Sequence, residues 1–257
     1  MKYIFKMLIS HLKYNLKESH YIFKISFTHN ELATVVLPLS FKFLFHQGIK
    51  NLISKKIFKN YKLDYSNYVR ENMTFSNDWF SHNITTWVSV FKKEIKSNKR
   101  LDILEIGSYE GASAVFLLKY FQTSSLQCVE TFEGSDEHKD LNFNEIKKNF
   151  YNNTSTFKER LSVFEGTSDE FFLKNKQIFD IIYVDGSHEF SNVFKDAFNS
   201  FNFLNINGII IFDDFLKKYY GDLKKDPIIA ILNFISKHKK NIKILNVGYQ
   251  IIIKKIR

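Results

Sequence analysis

The sequence predicts an α/β protein: a Rossmann-like, doubly wound, mostly parallel seven-stranded sheet with a C-terminal antiparallel hairpin, preceded by a basic, mainly helical N-terminal extension. Three observations carry this. From Leu101 onward, short apolar runs alternate with stretches of helical periodicity, the pattern of βαβ units. The runs are apolar throughout, as in parallel strands covered on both faces. The last two, "IKILNV" and "YQIIIKK", are separated by little more than Gly248, so no crossover fits and they must pair antiparallel.

Taken in order, "NDWFSHNITTWVSVFKKEIKSN" reads as an amphipathic helix with Ile84, Trp87, Val88 and Phe91 on one face and Ser81 or Asn83 as cap. "LDILEI" is the first strand, followed by a helix over 112–121. Then come strand "LQCVET", helix "NFNEIKKNFY", strand "LSVFEG" and a short helix from Ser168 to Lys174. "FDIIYVD" leads into a helix over 189–203, and "GIIIFDD" into one over 227–239. The expected division is an extension at residues 1–66, serving as lid or interaction segment, and a ligand-binding domain at 67–257.

Composition narrows the function. The single Cys128 excludes an intramolecular disulfide and a cysteine zinc site, and suits a reducing, cytoplasmic setting. The longest apolar stretch, "LATVVLPLSFKFLF", is broken by Pro38 and Lys42 and is too short to span a bilayer. Of the net charge of +10, residues 1–63 hold +9, from eleven Lys against Glu18 and Glu31. Such asymmetry marks either a solvated extension or a surface for polyanions.

Ligands of open α/β sheets bind at the carboxyl ends of the strands. The first exit reads "LEIGSYEGASAVF": Gly107 permits a sharp turn and Gly111 close approach at the helix start, but Tyr109 replaces the middle glycine of a dinucleotide fingerprint. A nicotinamide or flavin dinucleotide is thereby disfavoured. Glu130, ending the second strand, can accept both hydroxyls of a ribose, and "EGTSDEF" after the third suits an adenine edge. Together these describe an adenosine site without a pyrophosphate cradle.

In this order, "LEIGSYEGASAV", "CVET", "FEGTS", "YVDGSH" and "GIIIFDDF" resemble the class I S-adenosylmethionine-dependent methyltransferases, most closely the metal-dependent O-methyltransferases of the catechol and macrolide-sugar types. The resemblance runs from about Asp78 to the C-terminus and leaves residues 1–65 unmatched. It implies S-adenosylmethionine as cofactor, held by Glu105, Gly107, Ser108, Tyr109, Gly111, Glu130, Thr131, Gly166, Thr167, Ser168 and Asp185.

Asp185 ends the fourth strand and Asp213 and Asp214 the fifth, so adjacent parallel strands would converge three carboxylates. Such a cluster repels itself unless a cation or proton neutralises it. The oxygen-only donor set suits Mg²⁺ or Mn²⁺ at Asp185, Asp213 and Asp214. The alternative is that Asp185 caps a helix and the aspartate pair begins a loop. His188, at the start of the next helix, is the expected base, working with Asp185 as the catalytic pair; the family places a base there.

The resemblance leads to a small-molecule or sugar hydroxyl as acceptor. A nucleic-acid acceptor is open but not favoured: with prolines only at 38 and 227, the Asp/Asn-Pro-Pro-aromatic motif of amino-methylating enzymes is absent. Tyr65, Tyr68, Trp79 and Phe80 are candidates for the pocket lining or for ordinary packing. A homo-oligomer is equally open. Two rivals from other classes are a nucleotide-dependent oxidoreductase and a non-catalytic binding protein on the same scaffold.

Overall fold

The computed structural model describes residues 2–43, 48–96, 99–134, 141–219 and 226–257, to which all structural statements refer. Its sheet has strands β1 (Asp102–Ile106), β2 (Ser125–Glu130), β3 (Leu161–Glu165), β4 (Phe179–Val184), β5 (Leu204–Phe212), β6 (Ile242–Val247) and β7 (Ile251–Lys255). The order is β3-β2-β1-β4-β5-β7-β6, with β5·β7 and β6·β7 antiparallel and the rest parallel. The chain reverses its direction of winding between β1 and β4, which opens a crevice at their C-terminal ends.

Helices cover both faces, as fully apolar strands require. One face packs Leu104, Ile182, Val184, Ile210 and Phe212 against α9 (Phe190–Asn202) and α10 (Pro227–His238), with α8 (Ser168–Lys174) at its margin. The other packs Ile103, Ile181, Tyr183, Ile209 and Ile211 against α5 (Ile84–Glu94), α6 (Ala112–Tyr120) and α7 (Phe143–Thr154). Successive strand residues alternate between these cores because the side-chain period of a strand is two.

Two local readings change. Asn83 takes the N-cap position of α5 without a side-chain capping bond; a 3₁₀ turn over Ser81–Asn83 precedes the helix, and Asp78 accepts from the Ser81 amide at 2.8 Å and from its hydroxyl. Inserting that turn moves the side-chain capping bond upstream. The four expected face residues of α5 are all buried, while the expected end of this helix at 97–98 lies outside the described residues. β5 begins at Leu204 rather than at Gly208, because a register irregularity against β4 and a left-handed Asn207 (φ 67°) carry the strand through "NING".

The basic extension is built into the fold. α1 (Lys2–Thr28) and α2 (Ala33–Lys42) form a hairpin whose Ile22, Ile25, Val36 and Leu39 join the core of α10. α3 (Gly48–Ile57) packs near α5, and α4 (Lys59–Asn72) runs unbroken across the boundary expected at 66/67. Lys42 Nζ donates to the Ile244 carbonyl at 2.6 Å and Lys50 Nζ to that of Leu245 at 3.1 Å. Both carbonyls lie on edge strand β6 where its register shifts, so the lysines satisfy acceptors the ladder leaves open. Burial, then the neighbouring lysines, lower the pKa of both. No helix is long and apolar enough to cross a membrane.

Leu39 is almost fully buried between extension and domain. Leu39→Ala should cost about 2–4 kcal/mol in chemical denaturation, within a single transition if the hairpin folds with the sheet. A separate early transition would show that the hairpin folds independently.

Candidate active site

The crevice is shaped by a contact between two strand exits. The Asp185 amide donates to the Ile106 carbonyl at 2.8 Å, and a Cβ at Gly107 would lie 2.0 Å from the Asp185 carbonyl oxygen. Gly107 is also left-handed at φ 81°, so this position excludes any side chain twice over.

Tyr109, at the position a dinucleotide site needs glycine, also has positive φ (49°). Glu130 holds it there: one carboxylate oxygen accepts from the amides of Ser108 at 2.7 Å and Tyr109 at 2.9 Å, the other from Phe132 at 3.0 Å. Glu130 thus organises the turn from beneath while ending β2 at the crevice. The Tyr109 hydroxyl meets Ser76 Oγ at 3.0 Å and its ring lies 4.8 Å from half-exposed Trp79. Gly111, left-handed at φ 84°, starts α6.

Glu105 is fully buried below this turn. It accepts from Ser108 Oγ at 2.7 Å, from Ser113 Oγ, and from Cys128 Sγ at 3.3 Å. Burial pushes its carboxyl up to about 7, with the three donors opposing. It shapes the turn through the two serines rather than facing the crevice. Thr131 Oγ1 accepts from the Glu133 amide at 3.2 Å, and the Gly166 amide donates to the Glu130 carbonyl at 3.0 Å. Thr167 and Glu170 close a capping box that starts α8 at Ser168. Tyr65 and Phe80 are buried packing residues, and Tyr68 lies under the Lys119 ammonium.

Asp185, Asp213 and Asp214 do converge, but not symmetrically. Carboxylate oxygens of Asp185 and Asp214 and a ring nitrogen of His188 lie within 4.8 Å of one another. Asp213 stands behind them. One of its oxygens accepts from Gln250 Nε2 at 2.9 Å and from the Tyr183 hydroxyl, the other from the Asp214 amide at 2.7 Å. The Tyr183 hydroxyl also reaches Asp185 Oδ2 at 2.7 Å. One hydroxyl hydrogen cannot serve two carboxylates, so the cluster calls for a proton or a cation. Burial first, then mutual repulsion, raises Asp185 far above the carboxylate range and Asp213 to about 6.

Asp214 differs. Burial alone would raise its pKa, but hydrogen bonds from His188, Tyr219 and Tyr249 hold it below the usual value. His188 Nε2 lies 3.1 Å from Asp214 Oδ2, both groups nearly buried. Tyr219 stacks on the His188 ring at 4.0 Å and 9°, and its hydroxyl donates to that same oxygen. Asp214 Oδ1 is buried with no hydrogen-bond partner, and the backbone of Asp214 is left-handed (φ 53°). Such strain at a ligand-facing residue is typical of functional sites.

Tyr183, Tyr219 and Gln250 are neighbours of the cluster that the sequence reading missed. Only Tyr183 had a signal: it is two residues before Asp185, hence on the same strand face. Tyr219 and Gln250 reach the cluster through tertiary packing alone.

The 3-2-1-4-5-7-6 sheet thus carries a glycine turn at β1, a carboxylate at β2 and an acidic cluster at β4 and β5. Residues 104–215 match the family model described as "Methyltransferase domain". That match covers less than half of the chain and agrees with the resemblance of its motifs.

Among solved structures, it is similar to the MycE methyltransferase from the mycinamycin biosynthetic pathway, in complex with Mg, SAH and mycinamycin VI. That match has a TM-score of 0.54 and 16% identity, over 76% of this chain and 55% of the other. It is also similar to the O-methyltransferase from Bacillus cereus in complex with SAH, with TM-score 0.52 and 14% identity, over 80% and 97%. An uncharacterised protein of Acanthamoeba polyphaga mimivirus is 25% identical over 151 residues, 58% of this chain and 65% of that protein. The chain thus spans less than two thirds of that viral protein and of MycE.

Two outcomes follow from the turn. Gly107→Ala should destabilise the protein by at least about 2 kcal/mol in thermal unfolding, since backbone must move to admit the methyl. A raised carboxyl keeps its proton in the folded state after the unfolded chain has lost it. Glu105 therefore stabilises most below pH ~4.5, and stability should fall by roughly 3 kcal/mol between there and pH ~7. Glu105→Gln should flatten that part of the profile.

Proposed function

We propose that the protein transfers the methyl group of S-adenosylmethionine to a hydroxyl of a small molecule or sugar, at a site formed by Asp185, His188 and Asp214. The juxtaposition of those three groups at the C-terminal ends of β4 and β5, beside the Gly107 turn, carries this reading. The turn and the Glu130 exit would bind the cofactor, with Thr167 and Ser168 along the adenine edge.

The transfer breaks the carbon–sulfur bond of the sulfonium and forms a carbon–oxygen bond, releasing a neutral thioether. The acceptor's hydroxyl proton passes to His188. Asp214, held ionised by its hydrogen bonds, orients the imidazole and stabilises its protonated form, as a carboxylate does behind a catalytic histidine. In-line approach of the two reacting atoms supplies much of the rate by positioning.

The residues fit a divalent cation: a buried, unpartnered Asp214 Oδ1, a repelled Asp185 and a histidine nitrogen face one point. Asp185 and Asp214 would hold Mg²⁺ or Mn²⁺ beside His188, which keeps its role as base, with Asp213 behind them. Such an ion lowers the pKa of a bound hydroxyl and neutralises the carboxylates. The MycE structure, which contains Mg, SAH and mycinamycin VI, supports this version. A metal-free version, in which the His188–Asp214 pair alone serves as base, rests on their 3.1 Å contact. The extension would back the site: Lys218, next to Tyr219, lies 3.9 Å over the Tyr21 ring of α1.

Methyl-labelled S-adenosylmethionine supplied with fractionated metabolites should label small polar molecules. His188→Ala and Asp214→Asn should each lower turnover at least 100-fold, while S-adenosylhomocysteine affinity changes less than threefold. Loss of label with EDTA selects the metal version, and retention selects the histidine pair. Wild-type turnover in both variants would overturn the site.

A further inference from the structure

At the opposite end of the sheet lies a second concave site. It sits where α4, the C-terminus of α5 and the C-terminus of α6 meet, next to the N-terminal ends of β1 and β2, with a volume of about 1140 Å³. Its floor is aromatic: half-buried Tyr61, Tyr120 and Phe121 rest on buried Phe91 and Phe116. Tyr120 is 5.9 Å from Tyr61 and stacks on Phe116 at 5.6 Å. Burial and Tyr61 push the Tyr120 phenol up to about 12, so it stays neutral.

Its rim is basic. Five lysines, residues 92, 93, 96, 99 and 119, face Asp64 and Glu94. Glu94 is already paired with Lys254 at 3.1 Å, and Lys99 with Asp180 at 2.7 Å. Exposed Lys93 and Lys96 make no ion pair with any described residue. Lys93 is also among the charges that depress Lys42 and Lys50, so the rim continues into the lysines lining β6. Uncompensated charge along a groove with an aromatic floor suits an anion carrying planar rings.

We propose that this groove binds single-stranded nucleic acid, with bases on Tyr61, Tyr120 and Phe121 and phosphates along Lys93, Lys96 and Lys119. Stacking rings in a basic channel are the usual means of holding single strands irrespective of sequence. A lipid surface would satisfy the lysines but leave recessed rings without partners, and a duplex keeps its base faces stacked. The site lies away from Asp185, His188 and Asp214 and does not depend on the methyl-transfer reading.

The test is fluorescence anisotropy of a labelled 12-nucleotide oligouridine with the full chain, at 50 and 200 mM salt. Three phosphate contacts would weaken binding about twenty-fold over that range. Lys93→Glu with Lys96→Glu, both exposed, should weaken it at least tenfold, and Tyr61→Ala at least fivefold, with circular dichroism unchanged. Lys24→Glu, on the exposed part of α1, should leave it within twofold. No binding, binding that Lys24→Glu weakens as much as the groove variants do, AMP bound as tightly as the oligomer, or capture by phosphatidylserine vesicles without oligomer binding would each overturn the proposal.

Discussion

Three carboxylates packed at the ends of two neighbouring strands are the feature around which the C-terminal end of the sheet is built. Their repulsion would open an unsupported site, and each is restrained by a different part of the chain. Tyr183 from β4 lies between Asp185 and Asp213, and Gln250 from the β6–β7 turn holds Asp213. Trp87 of α5 donates to Gln250 at 2.6 Å, extending the restraint into the core. His188 and Tyr219 take up Asp214. The result is unequal: burial and repulsion raise the pKa of Asp185 and Asp213, whereas hydrogen bonds hold that of Asp214 below the usual value. Groups of one chemical type have thus been driven apart in character, as acid–base sites require.

The same economy shapes the cofactor end. Gly107 lets β1 and β4 exit in contact, and Glu130 ties down the turn that follows. Tyr109, where a dinucleotide fingerprint has glycine, keeps a left-handed backbone and turns its side chain to Ser76 and Trp79.

The extension ties the two ends together. Its hairpin is buried on α10, its lysines satisfy acceptors of edge strand β6, and Tyr21 meets the segment carrying Tyr219. A charge-rich segment without recognisable motifs is therefore part of the sheet's covering. Its charge does structural work at Lys42 and Lys50 through hydrogen bonds to carbonyls far away in the chain.

The strands, their order of appearance and the closing hairpin were legible in the sequence, because continuous apolar runs and short connections leave few alternatives. The glycine turn and the acidic strand ends were legible for the same reason: the carboxyl ends of parallel strands lie together in any such sheet. What the sequence could not supply was partnership. "DDF" presents two adjacent aspartates as equivalents, yet the left-handed backbone at Asp214 aims them apart, toward His188 and toward Gln250. Glu105 and Glu130 look alike as strand-borne carboxylates, but one is sealed below the turn and the other ends at the crevice. Side-chain type and spacing decided which groups came near one another; only the packing of distant segments, by burying some and pairing others, decided what each could do.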